Sequence, residues 1–215
     1  MRMKNKITTL FLDIGGVLLS DGWGHNSRHK AAAMFNLDAA EMEARHKLVF
    51  VTYEEGRMTL DEYLKEVVFY EKRRFSANQF RDFMFAQTTP KPEMIDFFKK
   101  LKKKHGLQVA AVSNEARELN EYRIQTFQLK EVFDFFISSC YVHVRKPDAE
   151  IFRLALDIAR VTPEQVIYID DVEMFTEVAS ELSINSIHHI DLKSTLNQIK
   201  AMGLTIEENE ISYVS

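Results

Sequence analysis

Four polar groups in this chain each come at or after the end of an apolar run. Asp13 closes Leu10-Phe11-Leu12, Ser113-Asn114 closes Leu107–Val112, and Asp170-Asp171 closes Val166–Ile169. Lys146, ahead of Pro147, follows the run that ends at Ser138. A lone carboxylate inside a buried strand is costly unless it is paired or metal-bound. Adjacent carboxylates repel each other and commonly await a cation. If the runs are parallel strands of one sheet, their carboxyl ends share an edge, and three carboxylates, a hydroxyl and an ammonium converge there. Singly, each has a plainer reading: Asp13 as the start of a turn, Ser113 and Asp171 as helix caps, Lys146 as a solvated loop lysine.

The elements that would position these groups are legible from periodicity. Ile7–Leu12, bounded by Gly15-Gly16, suits a strand buried on both faces. From residue 107 onward strand alternates with helix. Leu107–Val112 precedes helical 115–126, Val132–Ser138 precedes helix 148–160, Val166–Ile169 precedes helix 173–182, and Asn185–His188 precedes helix 192–202. That alternation calls for right-handed crossovers and an α/β parallel sheet of at least five strands. Between the first strand and this region, residues 27–87 carry no strand signal. Three helix starts are marked there by Asp38/Glu41, Thr59/Glu62 and Ser76/Gln79, each able to satisfy first-turn amides. Leu60, Tyr63, Leu64, Val67 and Val68 recur at helical spacing, and Phe80, Phe83 and Phe85 read as core. A helical bundle is thus inserted into the α/β unit. Helix 92–105 closes with Lys102-Lys103-Lys104-His105 before Gly106, cations that oppose the negative end of the helix dipole.

The 215 residues are 46% hydrophobic and 28% charged, enough for one sizeable core. A net charge of −4 gives no electrostatic footprint for nucleic acid. The single cysteine, Cys140, suits a reducing compartment. Arg2, Lys4 and Lys6 precede an apolar stretch, but Asp13 interrupts it, and no uncharged run is long enough to span a membrane. The expectation is a soluble, cytoplasmic protein, its oligomeric state not readable, with an acidic tail from Ile206-Glu207-Glu208.

Asp13-Ile14-Gly15-Gly16-Val17, Ser113-Asn114, Lys146-Pro147 and Asp170-Asp171, in this order, resemble the four motifs of the haloacid dehalogenase superfamily. The resemblance spans the whole chain. It implies a Rossmann-like parallel sheet core over residues 1–20 and 88–215 and a helical cap over 21–87. It also implies a Mg²⁺-dependent phosphatase of small phosphorylated metabolites, with Asp13 as nucleophile forming an aspartyl-phosphate. Mg²⁺ would be held by Asp13, the Gly15 carbonyl and Asp171, with Asp170 in support. Ser113 and the Asn114 amide would bind phosphoryl oxygens, and Lys146 would offset the gathered charge. Trp23 and His25, where the chain passes into the cap, are candidates for substrate contact.

Two residues depart from the family pattern. Gly15 stands where most of these phosphatases carry an Asp that serves as general acid, a role typically worth about 10²–10⁴ in rate. The pattern is nearest a branch that carries Gly there and includes bacterial sugar-1-phosphate phosphatases. Phe175 stands where Asn or Asp usually follows the acidic pair. Two other functions compete: a non-catalytic or regulatory descendant that binds phosphate or a partner, and a metal-independent 2-haloacid dehalogenase.

Overall fold

The structure, a computed structural model, describes residues 6–206. Five parallel strands form one sheet: β1 (Thr9–Leu12), β2 (Gln108–Ser113), β3 (Phe135–Ser138), β4 (Val166–Asp170) and β5 (Asn185–His188). Their order is β3-β2-β1-β4-β5, so β1 is central and the chain builds outward from it in both directions. A reversal of this kind opens a crevice at the carboxyl end of the central strand.

Side chains of β1 alternate between the two faces. Leu10 and Leu12 pack with Phe97 and Phe98 of α5 (Pro92–His105), Ile124 of α6 (Arg117–Thr126) and Ile199 of α10 (Leu192–Ala201). Phe11 packs on the other face with Phe152 of α8 (Ala149–Ala159) and Ala179 of α9 (Glu173–Glu181). Both faces are covered, which is why β1 is apolar from Leu10 to Leu12. A four-residue helix, α7 (Ser139–Val142), follows β3.

Between β1 and α5 lie α1 (His25–Met34), α2 (Ala39–Glu54), α3 (Leu60–Val67) and α4 (Ala77–Ala86). They form a helical cap around a core of their own that includes Trp23, Tyr63, Leu64 and Phe80. Phe83 and Phe85 pack at its edge. The caps form as the sequence implies: Asp38 accepts from Glu41, and Thr59/Glu62 and Ser76/Gln79 close full capping boxes. Gly106 ends α5 in the left-handed conformation.

The third strand is shorter than its apolar run. Leu129–Glu131 is a 3₁₀ turn, and Asp134 is taken up by Val109 N at 2.8 Å and Lys102 Nζ at 2.7 Å, so pairing begins only at Phe135. Likewise α6 starts at Arg117 instead of 115, the Glu115 backbone amide donating to Ser139 Oγ at 2.9 Å. No helix among the described residues is long and apolar enough to cross a membrane. Residues 1–5 and the acidic run from Glu207 lie outside the described residues.

Candidate active site

Register brings the strand ends together. Leu12 stands opposite Ala111 of β2 and Ile169 of β4, and Asp13 N donates to Ile169 O at 3.0 Å. Asp13, Ser113 and Asp170 therefore emerge side by side on the carboxyl edge. All three are buried, as is Lys146, delivered by the loop between α7 and α8.

Lys146 is the centre of this cluster. Its Nζ lies 2.6 Å from Asp170 Oδ2 and 2.9 Å from Asp13 Oδ1. Asp170 Oδ2 also accepts from the Tyr168 hydroxyl, and Asp170 Oδ1 accepts from Val172 N at 2.8 Å. Both Asp170 oxygens are thereby engaged, and the residue orients the lysine. Phe175 presents its ring to the same ammonium, 5.0 Å from the centroid, a cation–π contact. The Asn114 side chain clamps the lysine backbone, donating to Lys146 O at 2.9 Å and accepting from Lys146 N at 2.8 Å. Burial works against the ammonium, but the charges of Asp13 and Asp170 outweigh it and hold the Lys146 pKa above its ordinary value.

The two acids of the adjacent pair have different surroundings. Asp170 is sealed in, whereas Asp171 is only partly buried. Gly16 has φ +70, and a Cβ there would overlap the Asp171 carboxylate, so glycine makes room for it. Asp13, Asp170 and Asp171 can each offer one oxygen, all within 4.8 Å of one another. The Asp13 pKa is pushed up to about 7: burial raises it most, Lys146 opposes this, and the charge of Asp170 adds to it. Burial also raises Asp171, with the charges of Asp170 and Asp21 adding to it. Asp13 Oδ1 is buried without a hydrogen bond, since Lys146 is near it but off the bonding direction. A hard divalent cation fits this set: oxygen donors from three carboxylates and negative charge that one ammonium leaves unbalanced.

Gly15 does not adopt a positive φ. A Cβ built on it would meet only ordinary contacts, among them Arg123 Nη1 and Asp13 Oδ2 at 4.0 Å each. The position is open to a side chain.

Beneath the cap lies a cavity of about 300 Å³. Arg28, His46 and Glu54 line it from the cap, and Asn114, Glu115 and Arg123 from the core. Trp23 and His25 both border it, with different environments. Trp23 is buried, donates Nε1 to Tyr63 Oη at 2.9 Å and meets Phe80 edge-on at 5.7 Å, so it is part of the cap core. His25 is the first residue of α1, its side chain 65% exposed at the rim. Of the strand-end groups this cavity is bordered by Asn114; a larger one of about 710 Å³ lies against α10 and is bordered by none of them.

Tyr168, Glu115 and Arg123 were not among the residues singled out from sequence. For Tyr168 a signal existed: two residues before Asp170 on one strand, it shares that residue's face.

A family profile described as haloacid dehalogenase-like hydrolase matches residues 7–174. The chain belongs to the haloacid dehalogenase-like hydrolases. Among curated relatives of this chain, bifunctional epoxide hydrolase 2 of Sus scrofa is 33% identical over 73 residues, covering 34% of this chain and 13% of that one. Phosphorylated carbohydrates phosphatase of Thermotoga maritima is 30% identical over 110 residues, covering 51% and 48%. The chain thus spans less than half the length of these curated relatives. A HAD family enzyme from Bacteroides thetaiotaomicron has the same fold, with TM-score 0.74, 23% identity, and coverage of 85% and 93%. That enzyme has been crystallised with magnesium and inorganic phosphate.

Proposed function

We propose that this hydrolase is a Mg²⁺-dependent phosphatase of small phosphomonoesters, with Asp13 as nucleophile. The observation that carries the reading is the buried Lys146 held between Asp13 and Asp170, with Asp171 beside them. The arrangement concentrates one positive and three negative groups at a strand end, which suits a dianionic substrate only with a further cation. The names of the carbohydrate phosphatase relative and of the magnesium- and phosphate-bound structural neighbour support the same reading. Residues 21–87 would act as the cap that selects substrates.

Asp13, the Gly15 carbonyl and Asp171 would hold Mg²⁺, which when bound supplies charge neutralisation at the phosphoryl oxygens. A carboxylate oxygen of Asp13 attacks phosphorus, and the bond from phosphorus to the ester oxygen breaks, its electron pair leaving with that oxygen. Ser113 and the Asn114 backbone amide donate to the transferring phosphoryl oxygens, and Lys146 balances charge at Asp13. Water then attacks phosphorus and loses its proton to solvent, the bond from Asp13 oxygen to phosphorus breaks with its electron pair on the carboxylate, and inorganic phosphate leaves. With Gly15 unable to exchange protons, the leaving oxygen takes its proton from solvent or departs as an anion.

The cavity reaches the strand-end groups at Asn114, and its size and polar lining by Arg28, His46 and Glu54 support a compact, hydroxyl-bearing leaving group, such as a sugar. A net charge of −4 and the buried Cys140 support a metabolite substrate and a reducing, cytoplasmic setting. A phosphate-ester panel run with and without chelator tests the proposal. Hydrolysis should require Mg²⁺ and vanish in Asp13→Asn. Chelator-resistant release of halide from 2-haloacids, or no turnover of any ester, would overturn it.

A further inference from the structure

The chain passes between core and cap twice, at residues 20–24 and 87–91, and the two linkers are bound to each other. Ser20 N donates to Thr89 O at 2.8 Å, Thr89 N donates to Ser20 Oγ at 3.0 Å, and Lys91 N donates to Leu18 O at 2.8 Å. One core side chain reaches both linkers. Arg123 of α6, 2% exposed, donates Nη2 to Asp21 O at 2.8 Å and Nε to Thr88 Oγ1 at 3.3 Å. Its Nη1 donates to Glu115 Oε1, and Glu115 is itself 3% exposed. Glu115 lies two residues beyond Ser113, on the loop that leaves β2.

We propose that Arg123 is a positioning residue that ties the Ser113–Glu115 loop to both cap linkers, so that the cap pivots about this guanidinium. The link from Ser113 to bound phosphate rests on the phosphatase reading; the tie to the linkers does not. Guanidinium chemistry suits the task. Its rigid fork of donors serves carbonyl, hydroxyl and carboxylate at once, whereas a lysine ammonium is a compact point charge with three donors. A buried arginine is tolerated only when its donors are matched, and here the partners come from three separate segments. The linker is shaped around it: Gly22 has φ +64, and a Cβ there would overlap Arg123 Nη2. Motion at either linker must therefore break a bond to Arg123 or carry Glu115 with it.

Hydrogen exchange on the full chain, read at single amides, tests this. In Arg123→Lys the amides of Ser20, Thr89 and Lys91 should exchange about tenfold faster, while those of Phe11 and Tyr168 in the central strands stay within about twofold. Thr88→Val removes one hydrogen bond with little change of shape, and should accelerate the same linker amides less. It also decides the matter if Arg123→Lys does not fold. Inorganic phosphate with Mg²⁺ should slow linker exchange in wild type and fail to do so in Arg123→Lys. Unchanged linker amides in the folded variants, or strand and linker amides accelerating together, would overturn the tie. If linker amides respond to the substitutions but phosphate has no effect on wild type, the tie holds. The phosphate link, and with it the site reading beneath, then fails.

Discussion

Asp170 Oδ2 lies 2.6 Å from Lys146 Nζ, with both side chains shut off from solvent. The first acid of the pair is thus bound to the lysine, and the second, Asp171, is the one left beside Asp13 on the open side. Two neighbouring carboxylates that look equivalent in sequence should respond differently to substitution. Asp170→Asn should destabilise the fold by about 3 kcal/mol, since it leaves the buried ammonium underpaired. Asp171→Asn should leave metal-free stability intact or higher, because its carboxylate is held against burial and the charge of Asp170. It should abolish the rise in Tm on adding Mg²⁺, which wild type should show by mass action. Thermal melts of the three proteins with and without Mg²⁺ check both.

Asp13 should make metal-free stability depend on pH in an unusual direction. Its folded pKa, about 7, lies above the ordinary 3.8, so the folded state binds the proton more tightly. Its contribution is therefore greatest below 3.8 and falls as pH rises through 7. Asp13→Asn should remove this slope, and saturating Mg²⁺ should flatten it in wild type. The comparison is made as the difference between wild type and variant at each pH.

His46 contributes the opposite slope. Its Nδ1 lies 2.8 Å from Tyr63 Oη, which already accepts from Trp23, so the Tyr63 hydroxyl donates to a neutral imidazole. Burial, then the Arg28 charge, lower its pKa to about 4, with Glu43 opposing. Stability from this group is present above 6.5 and lost as pH falls toward 4. Discounted for the solvent-facing part of the ring, the loss is about 1–2 kcal/mol. His46→Gln should abolish it, and exchange of cap amides across this window would show where the loosening occurs.

Much of this was legible in the chain. Thr59/Glu62 and Ser76/Gln79 announce helices because capping is local, and Asp13 marks a strand end because β1 is apolar on both faces. The environment of Lys146 was not legible. Phe175 reads as a departure from an acidic or amide residue, yet its ring lies over the ammonium, a relation set by how α9 packs on β4. Arg123 and Glu115 sit on a helix and the loop before it, with nothing in their spacing to say that both linkers converge on them. The place of Trp23 in the chain makes it a candidate for substrate contact; it borders the cavity, and that its indole is also bonded into the cap core is not visible in the sequence.

Restoring a carboxylate at position 15 tests the missing acid. Because Gly15 has neither a positive φ nor a close neighbour, Gly15→Asp should fold normally. It should speed primary alkyl phosphates by about 10²-fold and p-nitrophenyl phosphate far less, since only the former needs a proton on its leaving oxygen. A plot of log rate against leaving-group pKa should be steep in wild type and shallower in the variant. Arg123 Nη1, about 4.0 Å from the new Cβ, would favour the ionised carboxylate and limit the gain at high pH.

Trapping the covalent intermediate tests the central claim most directly. Wild-type protein is mixed with p-nitrophenyl phosphate and Mg²⁺, quenched in acid within one turnover, and its peptides weighed. With no general base at Gly15, the acyl phosphate should accumulate, giving a burst of one nitrophenolate per chain and one phosphoryl group on the peptide bearing Asp13. Both should be absent in Asp13→Asn and in chelator. Steady hydrolysis by Asp13→Asn, or a phosphoryl group on any other residue, would contradict Asp13 as the nucleophile.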